Sequence, residues 1–166
     1  MILHYFKKKE NKEQITACNQ YKKILFESKI FLRDNNFFNE KDYKTSFEIV
    51  SIFLIMFIRK NLLENQRKFY LKVNDELVSL FISDLDESLR EKGIGDMSIG
   101  KYVKSYVKKF YFRISKFPVD NNLYKNNSFI EYLKFTDLIK TDDYEKVSRK
   151  FNEKFSNFLN KSNLDH

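Results

Sequence analysis

Four carboxylates lie close together near the middle of the chain, with a spacing that could bind a divalent metal. They are Asp84, Asp86, Glu87 and Glu91. On a helix, Asp84, Glu87 and Glu91 share one face, because residues three, four and seven apart lie above one another. Carboxylates on one face could hold Mg²⁺. Arg90 and Lys92 alternate with them, however, so a solvated or ion-paired helix face is the alternative interpretation.

Other residue types that enzymes use for acid-base, nucleophilic or metal chemistry are scarce. The histidines are His4 and His166, near the two ends of the sequence, and the single cysteine is Cys18. This supply excludes a disulfide within the chain and a zinc site built from cysteines, and it argues against a histidine-based triad. Neither GxxxxGK[ST] nor GxGxxG occurs, so no phosphate-binding loop is indicated. We therefore expect no enzyme, no metal site and no cofactor.

Asp84 has a second role to consider, as a buried ion-pair partner. Counted from Leu77 and Leu80, it falls on or beside the apolar face of its predicted helix, where an unpaired carboxylate would be costly. Arg113 lies at the edge of the apolar face of the next predicted helix. We therefore predict a helical hairpin in which Asp84 and Arg113 pair, either as a tie between helices or as a polar spot in a binding surface.

All three glycines lie between these two helices, in the stretch REKGIGDMSIG at residues 90–100. Gly93 follows the last apolar position of the first helix, where a left-handed C-cap is favoured, and Gly95 allows a second unusual dihedral angle. Asp96 or Ser98 then caps the next helix. The stretch predicts a compact turn between helices, which folding alone would require.

The elements around this turn are predicted to be helices. One proline and three glycines in 166 residues are too few for the turns of a β-sandwich or barrel. Apolar residues at steps of three and four predict helices over about 13–33, 45–63, 66–92 and 99–117. The apolar run IVSIFLIMFI at 49–58 is too short to cross a bilayer, so it predicts a buried core helix.

Capping motifs complete the predicted set of helices. The sequence TSFE at 45–48 has the form of a capping box and would start the central helix, and SFIE at 128–131 would start a fifth. Thr141 would cap a sixth. The prediction is an all-α, single-domain bundle of about six helices over residues 1–166, with the C-terminal helices at about 128–160.

The charge of the chain favours an anionic partner. The net charge is +8, from 31 basic and 23 acidic residues, and the excess is concentrated at Lys7–Lys9 and between Lys101 and Lys116. Such a surplus suits ribosomal RNA, an anionic membrane surface or an acidic protein, and equally a solvated surface without a partner. The start MILHYFKKKE runs in the reverse order of a signal peptide, so we expect a cytoplasmic protein.

Residues 81–117, FISDLDESLREKGIGDMSIGKYVKSYVKKFYFRISKF, resemble the signature of the ubiquinol-cytochrome c chaperone family. Bacterial members show Asp-x-Asp, Leu-Arg-Glu, Gly-Val-Gly-Asp and then a Lys-rich helix ending in Phe-Tyr-Gly-Arg. The matching residues are Asp84, Asp86, Leu89, Arg90, Glu91, Gly93, Gly95, Asp96, Lys101, Phe110, Tyr111 and Arg113. Phe112 replaces the glycine of Phe-Tyr-Gly-Arg, and Gly100 stands where many members have proline. The resemblance covers about 20–125.

The resemblance implies an all-helical, non-catalytic assembly chaperone. Its mitochondrial members help newly made cytochrome b to mature and enter respiratory complex III, near the ribosome exit and the inner membrane. The implied partner is cytochrome b or another complex III subunit, with the ribosome or the anionic inner-membrane surface as further contacts and no DNA. A bacterial member would work in the cytoplasm, including a peripheral position on the cytoplasmic face of the inner membrane.

The same motif supplies the expected partner-binding residues. They are Asp84, Asp86, Arg90, Gly93, Gly95, Asp96, Lys101, Lys104, Lys108, Phe110, Tyr111 and Arg113. Two other functions stay as alternatives. A small basic helical protein that binds RNA or the ribosome would need exposed aromatic residues among the lysines, such as Tyr102, and steeply salt-dependent binding. An enzyme would need a pocket with converging carboxylates of shifted pKa.

Overall fold

Within residues 11–160, six α-helices form close to the positions that the sequence predicts. The computed structural model describes residues 11–160, so His4, Lys7–Lys9 and His166 lie outside the described residues. The helices are α1 Lys12–Asp34, α2 Tyr43–Leu62, α3 Arg67–Glu91, α4 Asp96–Lys116, α5 Asn127–Thr136 and α6 Tyr144–Asn160. Within residues 11–160 the only extended pairing is an isolated bridge between Phe38 and Ile139. The prediction of an all-α single-domain bundle is confirmed.

α1 and α3 lie side by side and run parallel, while α2 runs in the opposite direction. Contacts between α1 and α3 advance along both helices together, from the Glu13–Lys72 ion pair to the hydrogen bond between Tyr21 and Asp84. Asn61, near the end of α2, accepts a hydrogen bond from the Gln20 side chain in the first half of α1. This arrangement leaves α4 as the partner of α3 in an antiparallel hairpin.

The apolar run of α2 forms the centre of the core, as predicted. All residues from Ser51 to Phe57 are buried. α6 packs over this run, with the rings of Phe53 and Phe158 at 5.6 Å and edge-on to each other. Edge-to-face packing of many rings explains how a chain with 18 phenylalanines fills its interior.

The cap of α2 differs from the predicted capping box. The helix begins at Tyr43, and Asp42 is its N-cap, accepting a hydrogen bond from the Thr45 amide at 2.8 Å. This backbone hydrogen bond holds the pKa of Asp42 below its usual value. Thr45 is buried within the first turn, and Glu48 points into the protein. An aspartate caps at least as well as a threonine, so the prediction from TSFE was wrong by one turn.

The two C-terminal helices show the same kind of correction. Asn126, not Ser128, caps α5 by accepting a hydrogen bond from the Phe129 amide at 3.0 Å. At the start of α6, Asp143 accepts from the Lys146 amide, so Thr141 is not the principal cap. In both helices an Asn or Asp close to the predicted cap takes its place, two residues from the predicted position.

Of the two glycines predicted to have unusual dihedral angles in the turn, one does. Gly93 has φ +87°, the left-handed conformation expected after the end of α3. Gly95 has φ −72° and extended backbone, so the prediction of a second unusual dihedral angle was wrong. Gly95 is itself the N-cap of α4, without a side-chain cap, and Asp96 is the first helical residue. Only Gly93 therefore depends on the freedom of glycine.

Replacing Gly93 by valine is expected to lower the free energy of unfolding by about 1 to 2 kcal/mol, because a β-branched residue tolerates positive φ poorly. No heavy atom lies within 4 Å of a Cβ built at Gly93 or at Gly95, so crowding does not contribute. Urea denaturation followed by circular dichroism measures the loss. Gly95→Val is the matched control and is expected to cost much less. Equal losses in the two variants would contradict the backbone explanation.

Candidate partner-binding face

A fully buried carboxylate, Glu48, ties α4 to α2. Arg113 Nε donates to Glu48 Oε2 at 2.9 Å, and Arg113 Nη2 donates to Glu48 Oε1 at 2.8 Å. Lys109 Nζ lies 3.0 Å from Oε1 of the same carboxylate. Glu48 is 0% exposed and Arg113 is 5% exposed. Such a bidentate, buried ion pair fixes the rotation of α4 about its own axis.

The protonation of Arg113 is set by this partner. Burial alone would lower the pKa of Arg113, but the hydrogen bonds and the charge of Glu48 together raise it. Burial, followed by the charge of Glu48, raises the pKa of the Tyr132 phenol, whose hydroxyl lacks a hydrogen-bond partner in the described residues. Arg113 is therefore held as a cation against Glu48 in a buried position.

The predicted pairing of Asp84 with Arg113 is wrong. In the α3–α4 hairpin the ring of Phe81 meets the ring of Phe110 at 4.8 Å. With this antiparallel register, Arg113 lies opposite position 78, six residues or about 9 Å along the axis from Asp84. Asp84 instead accepts a hydrogen bond from the Tyr21 hydroxyl at 2.7 Å. Burial and then this bond raise the pKa of Tyr21.

The other charged residues of the motif hold the glycine turn together. Arg90 binds Asp86 one turn earlier on α3 and also Asp96 at the start of α4. The hydrogen bonds that Arg90 donates, first to Asp86 and then to Asp96, raise the pKa of Arg90. Asp84 and Asp86 thus have different partners. Within residues 11–160 no group of three His, Cys, Asp or Glu side chains is placed to hold a metal ion.

The outer face of α4 carries a row of lysines. Lys101, Lys104 and Lys108 are all exposed and recur at steps of three and four. In the described part of the chain, the ion pairs formed by α4 after Asp96 are those of Lys109 and Arg113 with Glu48. Because α4 has no acidic residue after Asp96, the positive charge of the lysine row is uncompensated on its own helix.

Exposed aromatic rings continue this face at the C-terminal end of α4. Tyr111 is 53% exposed and Phe112 is 45% exposed, whereas Phe110 is fully buried. Phe135 of α5 is 52% exposed and meets Phe112 edge-on, with ring centroids 5.5 Å apart. Tyr102, the exposed aromatic predicted among the lysines, is 46% exposed.

The structure places only some of the predicted partner-binding residues on this face. The lysines and Tyr111 are brought together on one surface. Phe110 and Arg113 lie beneath that surface, and Asp84 binds Tyr21 of α1. The other predicted residues lie at or beside the turn at its N-terminal end: Asp86, Arg90, Gly93, Gly95 and Asp96. Glu48, Phe112 and Phe135 were not predicted. The departure of Phe112 from the family pattern was visible, but nothing local links it to Phe135, 23 positions later.

A pocket of about 400 Å³ opens beside Glu48, between the start of α2 and the end of α5. It is lined by Asn39, Glu40, Asp42, Lys44, Thr45, Glu48, Thr136, Asp137 and Leu138. Three of its four carboxylates are engaged in the fold: Asp42 caps α2, Glu48 binds α4, and Asp137 lies 3.9 Å from Lys44. The pocket is thus assembled from structural contacts.

In the part of the chain that the structure describes, none of the helices is both long enough and apolar enough to span a lipid bilayer.

A family model described as ubiquinol-cytochrome C chaperone matches residues 35–117, half of the chain. The matched segment begins after α1 and contains α2, α3, the glycine turn and α4. It therefore includes both sides of the Glu48–Arg113 ion pair and the lysine row. Neither a curated protein nor a solved structure matches the chain.

Proposed function

Because the chain belongs to the ubiquinol-cytochrome C chaperone family, we propose that it binds newly made cytochrome b and promotes assembly of ubiquinol-cytochrome c reductase, respiratory complex III. The observation that carries this proposal is the position of the family match. It covers the helices that build the lysine row and the ion pair that orients it. A chaperone needs a surface that captures a client, and no bond-making chemistry is asked of these residues.

The partner-binding surface in this proposal is the outer face of α4. Lys101, Lys104, Lys108 and Tyr111 contact the client or a second complex III subunit, since their side chains are exposed. The other residues of the motif act by positioning this face. They are Asp84, Asp86, Arg90, Gly93, Gly95, Asp96, Phe110 and Arg113.

The positive charge also supports a place of action. We propose that the protein works in the cytoplasm and approaches the inner membrane from that side, because a lysine row is attracted to anionic lipid head groups at about 1 kcal/mol per residue near the surface. The ribosome offers a similar anionic surface. A small RNA-binding protein is the second candidate function, supported by Tyr102 and Tyr111, which stand exposed among the lysines.

A strain that lacks this protein is expected to accumulate little assembled complex III. Cytochrome b message and the other respiratory complexes should stay near normal, because the proposed step follows translation and concerns one complex. Native gel electrophoresis and the reduced-minus-oxidised spectrum of haem b measure the outcome. Unchanged complex III in the deletion strain would contradict the proposed function, and salt-sensitive retention of RNA by the purified protein would then favour the second candidate.

Rescue of this strain also tests the binding face. A variant with Lys101, Lys104 and Lys108 all changed to glutamate should fold normally, because exposed charges contribute little to stability, but should fail to restore complex III. The matched control changes the charge equally on other helices, through Lys22→Glu, Lys29→Glu and Lys68→Glu, all at exposed positions. Equal rescue by the two variants would remove α4 from the binding surface.

A further inference from the structure

Two exposed phenylalanines from different helices form a fixed pair beside the lysine row. Phe112 of α4 and Phe135 of α5 lie edge to face at 5.5 Å, and about half of each side chain is exposed. Neither residue is among the side chains assigned above to contact with the client. Exposure of two apolar rings to water is unfavourable, and exposed aromatic patches are typical of protein–protein interaction sites.

The pair is held in place from beneath by the buried ion pair. The Arg113 guanidinium lies 4.6 Å from the centroid of the Phe135 ring. Its two hydrogen bonds to Glu48 hold it in that position. Lys116 lies over Phe112 at 5.5 Å. Because the rings are already ordered, little side-chain entropy is lost when a partner covers them. Phenylalanine is also among the residue types enriched at protein–protein interfaces.

The lysine row adjoins this pair directly. Lys108 precedes Phe112 by four residues, so the two share one face of α4. From Lys101 to Phe112 the face extends about 16 Å, or three helical turns. Positive charge therefore covers the N-terminal part of the face and two aromatic rings cover its C-terminal part. A complementary ligand carries carboxylates along one stretch and an apolar group at the end.

We propose that Phe112, Phe135 and the lysine row together dock an amphipathic, acidic helix of a protein partner. The partner helix sets an apolar side chain against the two rings and carboxylates against the lysines. This proposal rests on the chaperone function proposed above, since it names the class of partner segment that the same side of α4 takes. A docked amphipathic helix presents its apolar anchors at positions three, four and seven residues apart.

The state of the rings favours a protein over a lipid surface or single-stranded RNA. The aromatic residues enriched at membrane interfaces are Trp and Tyr, whose polar ends reach the head groups, whereas Phe112 and Phe135 carry no polar atom and are engaged with each other. Bases stack on open ring faces, whereas Lys116 and Arg113 each lie over one of these rings. A fixed pair of rings is best matched by a side chain of fixed position.

The test places a photo-crosslinking amino acid at position 112 or 135 of the full chain in the deletion strain. We expect both positions to crosslink to the same protein segment, identified by mass spectrometry as acidic and amphipathic at helical spacing. Changing Lys101, Lys104 and Lys108 to glutamate should lower the yield about tenfold. The control position is Phe26 of α1, which is 63% exposed and should not reach that segment.

A second variant separates docking from folding. With the crosslinker at 112, Phe135→Ala should lower the yield about tenfold, whereas Phe26→Ala should leave it unchanged. Both variants remove an exposed ring, so circular dichroism should show the same helix content as the unchanged chain.

Adducts with lipid or RNA alone, a segment without carboxylates, or no adduct at all would overturn the docking proposal. These outcomes are distinct from failure of the proposed function. A deletion strain that lacks complex III while position 112 gives no protein adduct would reject the docking site alone. An acidic segment crosslinked in a strain whose complex III does not depend on this chain would reject the assembly function alone.

Discussion

Replacing Glu48 by alanine is expected to lower the free energy of unfolding by about 3 to 5 kcal/mol. The loss follows because the Arg113 guanidinium, only 5% exposed, would stay buried without a carboxylate, and Lys109 would lose the same partner. Urea denaturation followed by circular dichroism measures it. For a domain of this size, such a loss is a large part of the total stability.

Two comparisons make this prediction specific. Glu131→Ala removes a carboxylate that is paired with Lys134 on the surface of α5, and it is expected to cost less than about 1 kcal/mol. A double variant with Glu48→Met and Arg113→Met should recover most of the stability lost in Glu48→Ala, because neither charge is then buried alone. A loss for Glu48→Ala no larger than that for Glu131→Ala would contradict the role of the buried pair.

The double variant also separates stability from function. It should fold, but the cation beneath Phe135 would be gone. If the pair orients the outer face of α4, this stable variant should still rescue complex III poorly. Glu48 and Arg113 would then be positioning residues for the partner-binding face, since their side chains are buried and act through Phe135 and through the rotation of α4.

The helices themselves could be predicted because their signal is local. Apolar residues at steps of three and four placed four helices within about three residues of the observed bounds, and the run at 49–58 could only be interior. The left-handed Gly93 was also predictable, since it directly follows the last apolar position of α3. These features depend on residues within one or two helical turns of one another.

The polar contacts of the site could not be predicted in the same way. The position of Glu48 in the sequence is compatible with two roles, the last residue of a capping box and a buried partner for Arg113. The second role is observed because Asp42 caps the helix instead. Whether Asp84 can reach Arg113 depends on the register of the α3–α4 hairpin, and that register is set by the packing of Phe81 on Phe110. Such contacts join residues far apart in sequence, so several pairings satisfy the same local pattern.

In the motif FYFR at 110–113 the first and last residues are buried and the two between them are exposed, and this difference gives a second large prediction. Phe110 is 0% exposed and packs on Phe81, whereas Tyr111 is 53% exposed. Phe110→Ala should therefore lower the free energy of unfolding by about 3 to 5 kcal/mol, through lost burial and the cavity left between α3 and α4. Tyr111→Ala should change it by less than about 0.5 kcal/mol.

The effects of the two substitutions on function should differ in the opposite direction from their effects on stability. Tyr111→Ala keeps the fold and removes a ring from the proposed binding face, so it should weaken rescue of complex III while its unfolding curve matches the unchanged chain. Phe110→Ala should lose rescue only to the extent that the folded population falls, and growth at lower temperature should restore part of it. Urea denaturation and native gels of the same two variants measure both effects. Full rescue by Tyr111→Ala would remove this ring from the binding face, and an unchanged unfolding curve for Phe110→Ala would contradict its place between α3 and α4.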